Sequence, residues 1–300
     1  MINFVLDKSK NYAAVQASLL GTVQRHLPSD SYSSTNGVRR AGALNFALFV
    51  RQPADIVMSH GVADKNYFTD VCDDGGELFI NRLRALLVPG PWLKRKLLAN
   101  PEVRLRADQI HTVGWPRLDD LRQRVPGVRA SGRPRLLWAP THDFVKRGDE
   151  QLSTSSYPLF NECLPALREH FDVAVSVHPR NRPTKTPTWQ LLLDADVVIS
   201  DFGTMVYEAW ALGKPVIFPR WLLGDRIQKY LPGSGEAHIF DARLGCHSAS
   251  LAELISTVLD GPVISPEVDA FMRDYLDNYN GGSSGARVAE LLLAVASQAA

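Results

Sequence analysis

Four short stretches of this chain set proton carriers and phosphate-binding side chains directly after apolar runs. They are His60-Gly61 with Lys65 close behind, Thr141-His142-Asp143, His178-Pro179-Arg180, and Asp201-Phe202-Gly203-Thr204. In an open parallel sheet, ligands bind beyond the carboxyl ends of the strands, so residues at those positions are the first candidates for chemistry. The chemistry they suit is group transfer from a phosphorylated donor. An imidazole at position 60 with an ordinary pKa near ~6.5 can take a proton from an acceptor hydroxyl at neutral pH, and Lys65 can steady an incoming anion. Arg180 offers bidentate contacts to phosphoryl oxygens and His178 a proton or hydrogen bond, so together they would neutralise a leaving phosphate. Asp201 leads into a turn where Gly203 permits close backbone approach, and Thr204 is expected to cap the helix that follows. Free amides and the positive dipole end at that helix start would make a phosphate site.

Competing chemistries lack their motifs. Neither G-x-x-x-x-G-K-[ST] nor G-x-G-x-x-G occurs, which sets aside the Walker loop and the dinucleotide fingerprint. Gly233-Ser234-Gly235 lacks the spacing of a serine-hydrolase elbow. His142-Asp143 belongs to no H-E-x-x-H pattern, so a metal-independent site without a cofactor is expected. Cys72, Cys163 and Cys246 are an odd number at wide spacing, the pattern of small buried hydrophobes rather than of a disulfide framework or a zinc cluster.

These residues need a scaffold, and the apolar runs supply one. Residues 2–6, 55–59, 85–88 and 110–113 read as strands, 11–23, 41–51 and 92–98 as helices, and 28–37 as a polar loop. Breakers and positive charge without apolar periodicity mark residues 126–134 as a linker. A second alternation follows, with strands at 135–139, 173–177, 196–200 and 215–218 and helices at 159–170 and 204–212. Apolar runs of four or five residues between helices imply parallel strands covered on both faces. The expected architecture is α/β, two Rossmann-like domains whose parallel sheets face each other across a cleft: an acceptor domain over 1–125 and a donor domain over 135–280.

Composition sets the outer bounds. Three hundred residues, 45% apolar and 22% charged, make a globular chain of about two domains. The net charge of +1 conceals an asymmetry, for residues 1–150 hold 22 Lys/Arg against 15 Asp/Glu and residues 151–300 hold 11 against 17. The first half is therefore expected to face something anionic. Nucleic acid is disfavoured, because the basic residues are not interleaved with aromatics in any recognisable module. No run approaches the ~18 apolar residues of a membrane span, and the N-terminus has no signal-peptide pattern, so a cytoplasmic location is expected. The basic segment Trp92-Leu93-Lys94-Arg95-Lys96-Leu97-Leu98 could rest peripherally on an anionic membrane, or could be a solvated helix face over the first sheet.

In order along the chain, the motifs resemble those of the CDP-glycerol:poly(glycerophosphate) glycerophosphotransferase family, the teichoic-acid and capsule polymerases built on a GT-B scaffold. The resemblance rests on His60-Gly61 with Lys65; Gly114-Trp115-Pro116-Arg117-Leu118-Asp119; Trp138-Ala139-Pro140-Thr141; His178-Pro179; Asp194 to Asp201 running on to Gly213-Lys214-Pro215; and Asn280-Gly281-Gly282-Ser283-Ser284-Gly285-Ala286-Arg287-Val288. It covers roughly residues 55–295. It implies a transferase moving glycerol phosphate or a similar polyol phosphate from a CDP-activated donor to a hydroxyl of a polysaccharide or lipid-linked glycan. On that reading His60 is the general base, His178 and the amides of Gly203 and Thr204 hold the pyrophosphate, and Arg180, Asp201, Thr141 and His142 border the donor. Lys65 and Arg117 would meet the acceptor, and a last helix from about Ala286 would cross back to the first domain. Asp201-Phe202-Gly203-Thr204 stands where the family usually has Asp-Tyr-Ser-Ser, and His142-Asp143 where Trp-Arg is common. Both departures border the donor, so an inverting, metal-independent GT-B glycosyltransferase using a nucleotide sugar, or a non-catalytic nucleotide- or glycan-binding module, stays open.

Overall fold

Short apolar runs form the central strands of each sheet and are withdrawn from water on both faces. In the computed structural model, which describes residues 1–9, 12–124, 126–127, 132–141, 154–178 and 186–298, the chain divides into two units: Met1–Asp120 with Arg273–Ala300, and Leu121–Met272.

The first unit carries six parallel strands, β1 (Ile2–Leu6), β2 (Tyr32–Asn36), β3 (Leu44–Ala47), β4 (Ile56–Met58), β5 (Ala85–Val88) and β6 (Ile110–Thr112). Their order is β2-β1-β3-β4-β5-β6. Helices α1 (Ala13–Gln24), α2 (Pro91–Ala99) and α3 (Pro116–Leu121) connect them. Two expectations fail here. Residues 41–51, read as a helix, contain the buried central strand β3, because a short apolar run carries no period that tells a buried strand from a helix. Asn45 is tolerated inside the sheet because Asn3, its register partner on β1, donates Nδ2 to Asn45 Oδ1 at 2.9 Å. The polar stretch 28–37, read as loop, contains β2, an edge strand whose side chains stay partly in water while its backbone pairs with β1.

The second unit has five parallel strands, β7 (Arg135–Trp138), β8 (Asp172–Val175), β9 (Val197–Ile199), β10 (Val216–Pro219) and β11 (Cys246–Ser248), in the order β11-β10-β9-β7-β8. Around them lie α4 (Leu164–His170), α5 (Thr188–Asp194), α6 (Thr204–Ala211), α7 (Arg220–Leu223), α8 (Arg226–Tyr230), α9 (Gly235–Asp241), α10 (Leu251–Leu259) and the first seven residues of α11 (Pro266–Tyr275), whose last three, from Arg273, belong to the first unit. The core combines Leu136, Trp138, Phe160, Leu167, Val197, Ile199 and Leu254. Ser234, in the Gly-Ser-Gly stretch, caps α9 by accepting the Ala237 N–H at 3.0 Å.

The last helix, α12 (Ser284–Ser297), belongs to the first unit and packs on α1, β1 and β3. Its seat is made by glycine: a Cβ at Gly285 would come within 2.7 Å of the Thr22 carbonyl oxygen. Asp119 of the Gly114–Asp119 motif caps its start, accepting the amides of Gly285 at 2.8 Å and Ser284 at 3.2 Å and the Ser283 hydroxyl at 3.1 Å. Asn278 bridges the same parts, accepting Trp115 N–H at 2.9 Å and donating to the Trp115 carbonyl at 3.2 Å. Gly114 has a positive φ of 80° and lies against Asn278, where a Cβ would meet Oδ1 at 2.6 Å. Two motifs far apart in sequence thus form one structural joint.

Helix α2 is anchored by its charges. Lys96 pairs with the buried Asp64 and donates to Asn66 Oδ1 at 2.6 Å, and Arg95 pairs with Asp274. Trp92 packs on Tyr275 with ring centroids 5.6 Å apart. Two of the three cations of the basic segment therefore serve contacts inside the unit. No helix among the described residues is long and apolar enough to cross a membrane.

Candidate functional site

In the first unit the carboxyl ends of β1, β3 and β4 converge on His60. Its ring stacks on Phe49 at 4.4 Å between centroids and meets Tyr67 at 5.2 Å and Tyr12 at 5.7 Å edge-on. Tyr67 fixes this arrangement by accepting the Val50 N–H at 3.1 Å. Burial in the aromatic surround lowers the imidazole pKa to about 4; the positive charge of Lys65 adds to this, and a hydrogen bond with the Leu48 backbone and the negative charge of Asp7 oppose it. The ordinary value near 6.5 expected from sequence is thus corrected. His60 is neutral at pH 7, able to accept a proton, and its Nδ1 is shielded with no hydrogen-bond partner. A buried polar atom without a partner calls for an explanation, and a catalytic role is one.

Lys65 lies on the loop after β4, close enough to act on the imidazole. It and Asn66 have left-handed backbones, φ 47° and 55°, in a turn tied down by Lys96 and Asp64. Arg117 is half-buried on α3 beyond the end of β6, two strands along the sheet from β4, a spacing of roughly 10 Å. The structure therefore joins Lys65 to His60 and sets Arg117 further along the same edge.

In the second unit three adjacent strands, β8, β7 and β9, end side by side. Beyond them come His178, half-buried, then Thr141, then Asp201, Gly203 and Thr204. His142 and Arg180 lie outside the described residues. Thr141 and Asp201 touch directly, the Thr141 N–H donating to Oδ2 at 2.9 Å. Complete burial raises the Asp201 pKa to about 6, against hydrogen bonds from Ser156, Thr141 and Ser155 that favour the ionised form. Asp201 Oδ1 is left without a partner of proper geometry.

The expected capping role of Thr204 is also corrected. Gly203 is the N-cap, with φ 96° and ψ −165°, and Thr204 is the first helical residue. That conformation needs glycine. Gly203 offers no side chain to cap α6, and the Val206 N–H is taken up by the Gly203 carbonyl at 3.0 Å, so it is the first two amides of the helix, those of Thr204 and Met205, that an anion could meet.

Sequence reasoning missed the aromatic surround of His60 and the hydroxyl turn Thr154-Ser155-Ser156. Tyr12, Phe49 and Tyr67 have no fixed spacing to His60, and only topology gathers them. It also passed over Asp194-Ala195-Asp196, an Asp-x-Asp spacing that in some transferases holds a metal-bound nucleotide. Here Asp194 accepts the Gly127 N–H and Asp196 the Arg135 N–H, so both serve the backbone. Among the described residues no group of three or more His, Cys, Asp or Glu is placed to hold a metal ion.

Two α/β units, each built on a parallel sheet with flanking helices, give the chain the GT-B fold. Solved structures similar to it include the wall teichoic acid polymerase TagF, at a TM-score of 0.64 and 16% identity over 99% of this chain and 89% of that one. A TagF structure soaked with CDPG compares at 0.61 and 14%, covering 99% and 88%. The UDP-GlcNAc 2-epimerase of Neisseria meningitidis bound to UDP-GlcNAc compares at 0.56 and 14%, covering 98% and 100%. No family model and no curated protein matches the sequence.

Proposed function

We propose that the protein is a transferase that moves a glycerol phosphate, or a similar polyol phosphate, from a CDP-activated donor to a hydroxyl of a cell-surface glycan or polymer. The observation that carries this reading is the start of α6, where the Gly203 turn leads the Thr204 and Met205 amides out beside Asp201 and Thr141, with His178 two strands along the same edge of the sheet. The second unit holds the donor diphosphate there, and the first supplies the base, His60. The acceptor hydroxyl gives its proton to the imidazole, its oxygen bonds to the glycerol-linked phosphorus, and the bond from that phosphorus to the bridging oxygen of CMP breaks. CMP leaves with the electron pair, its charge met by the α6 amides with His178 and Arg180. A base with a pKa about 4 has little driving force at neutral pH, so positioning and electrostatic stabilisation carry most of the rate. The likeness to TagF supports this donor class, within the GT-B fold the two share.

A nucleotide-sugar reading has support of its own in the fold likeness to UDP-GlcNAc 2-epimerases. In that case attack falls on an anomeric carbon and the leaving group is a nucleotide. Incubation with CDP-glycerol and with UDP-sugars, in the presence of glycan acceptors, separates the two: CMP release with a new phosphodiester supports the first, and UDP release with a new glycosidic bond supports the second. Failure to release any nucleotide would reject both.

A further inference from the structure

Hydroxyl groups gather where β7 and β9 end. Thr141, Ser155, Ser156, Ser200 and Asp201 are buried there, as is Thr154, the residue before Ser155, and the serine hydroxyls are taken up by neighbouring protein groups. Ser155 Oγ donates to the Thr141 carbonyl at 2.9 Å and accepts the Tyr157 N–H at 3.1 Å. Ser156 Oγ accepts Trp138 Nε1–H at 3.0 Å, and Ser200 Oγ donates to the Ala139 carbonyl at 2.8 Å.

Two atoms fall outside this closure. Thr154 Oγ1 and Asp201 Oδ1 are shielded yet have no hydrogen-bond partner, in side chains 3% and 0% exposed. A buried polar atom left unsatisfied is costly, so two in one cluster are a burden that packing does not explain. The groups acting on the Asp201 carboxyl are Ser156, Thr141 and Ser155, with no cation among them. A phosphate would meet an acidic side chain without compensation, whereas a neutral hydroxyl can donate to the carboxylate and accept from the threonine. The diphosphate has its own place at the α6 amides, which begin just past Asp201.

We propose that Thr154 Oγ1 and Asp201 Oδ1 recognise a hydroxyl of the group carried on the donor phosphate, a polyol or sugar hydroxyl, and so help decide which donor is accepted. The proposal rests on the donor reading above and adds Thr154 as a specificity-determining residue.

Calorimetric titration of the full chain with CDP-glycerol and with CDP, paralleled by UDP-GlcNAc and UDP, tests it in the wild type, Thr154→Val and Thr154→Ser. The wild type is expected to bind one conjugate at least tenfold more tightly than its parent nucleotide. Thr154→Val should bring that ratio to within twofold of one while leaving the parent nucleotide's affinity unchanged and the melting temperature no lower than wild type, and Thr154→Ser should keep the ratio. A Thr154→Val ratio equal to wild type, equal weakening of conjugate and parent, or wild-type ratios near one for both pairs would overturn the proposal and leave the donor reading intact. A wild type that binds no nucleotide would remove the donor reading itself, and the proposal with it.

Discussion

The backbone N–H of Thr141 donates to Oδ2 of Asp201 at 2.9 Å, tying together the ends of two neighbouring strands through a fully buried carboxyl group. Because burial raises that pKa from 3.8 to about 6, the folded state holds the proton more tightly than the unfolded chain does. Its contribution is therefore complete below about pH 4 and is lost as pH rises through 6. Asp201→Asn keeps an oxygen for Thr141 and removes the charge. Relative to wild type it should gain up to about 3 kcal/mol between pH 4 and pH 7 in urea unfolding. A difference that does not change with pH would show that the carboxyl is not desolvated in this way.

His60 works in the opposite sense. Its pKa falls from 6.5 to about 4, so its contribution to stability is whole above pH 6.5 and is lost as pH falls through 4. Wild type should lose up to about 3 kcal/mol relative to His60→Asn between pH 7 and pH 4. At pH 7 the same substitution should lower CMP release from CDP-glycerol by about 10²-fold, the low end of general-base catalysis, as suits a weak base, with CDP affinity unchanged by calorimetry. Loss of binding with normal residual turnover would reject the base assignment.

Lys96 is the counter-charge of the buried Asp64. Removing one partner of such a pair strands the other, so Lys96→Ala should destabilise the protein by about 3–5 kcal/mol. Lys94→Ala, on the same helix, should cost under about 0.5 kcal/mol. Chemical denaturation of the two variants side by side checks the contrast; equal effects would deny Lys96 its structural role.

Asp119 caps α12 through two backbone amides and a serine hydroxyl. Asp119→Ala should cost about 1–2 kcal/mol and speed amide exchange selectively over residues 284–290. Exchange that stays slow there would place the anchoring of α12 in its apolar face alone.

The pattern of buried runs made the α/β class and the strand-end residues readable, because polar residues that follow strands are where such sheets bind ligands. Thr141, Asp201 and Gly203 could be nominated in that way, and the structure sets them together. What could not be read was anything that depends on contacts across the sheet. The strand at Leu44–Ala47 passed for a helix since its neighbours β1 and β4 cannot be seen in one dimension. The His60 pKa went unforeseen because Phe49, Tyr12 and Tyr67 reach it from separate loops. Gly203 rather than Thr204 is the cap since a positive φ is decided by the path into the helix, and Thr154 escaped notice in a run of serines and threonines that resembles any surface turn. The Gly114–Asp119 and Asn280–Val288 motifs could be recognised from sequence, but their joint around Asp119 and Asn278 could not.

The return of α12 to the first unit bears on the order of events during synthesis. The second unit is one uninterrupted stretch, Leu121–Met272, and all of its strands have been made before the ribosome reaches Ser284. The earlier-made β1 and β3 must wait for the helix that covers them. The part translated first is thus the last to be finished, and until then its unclosed apolar surface is what a chaperone would find.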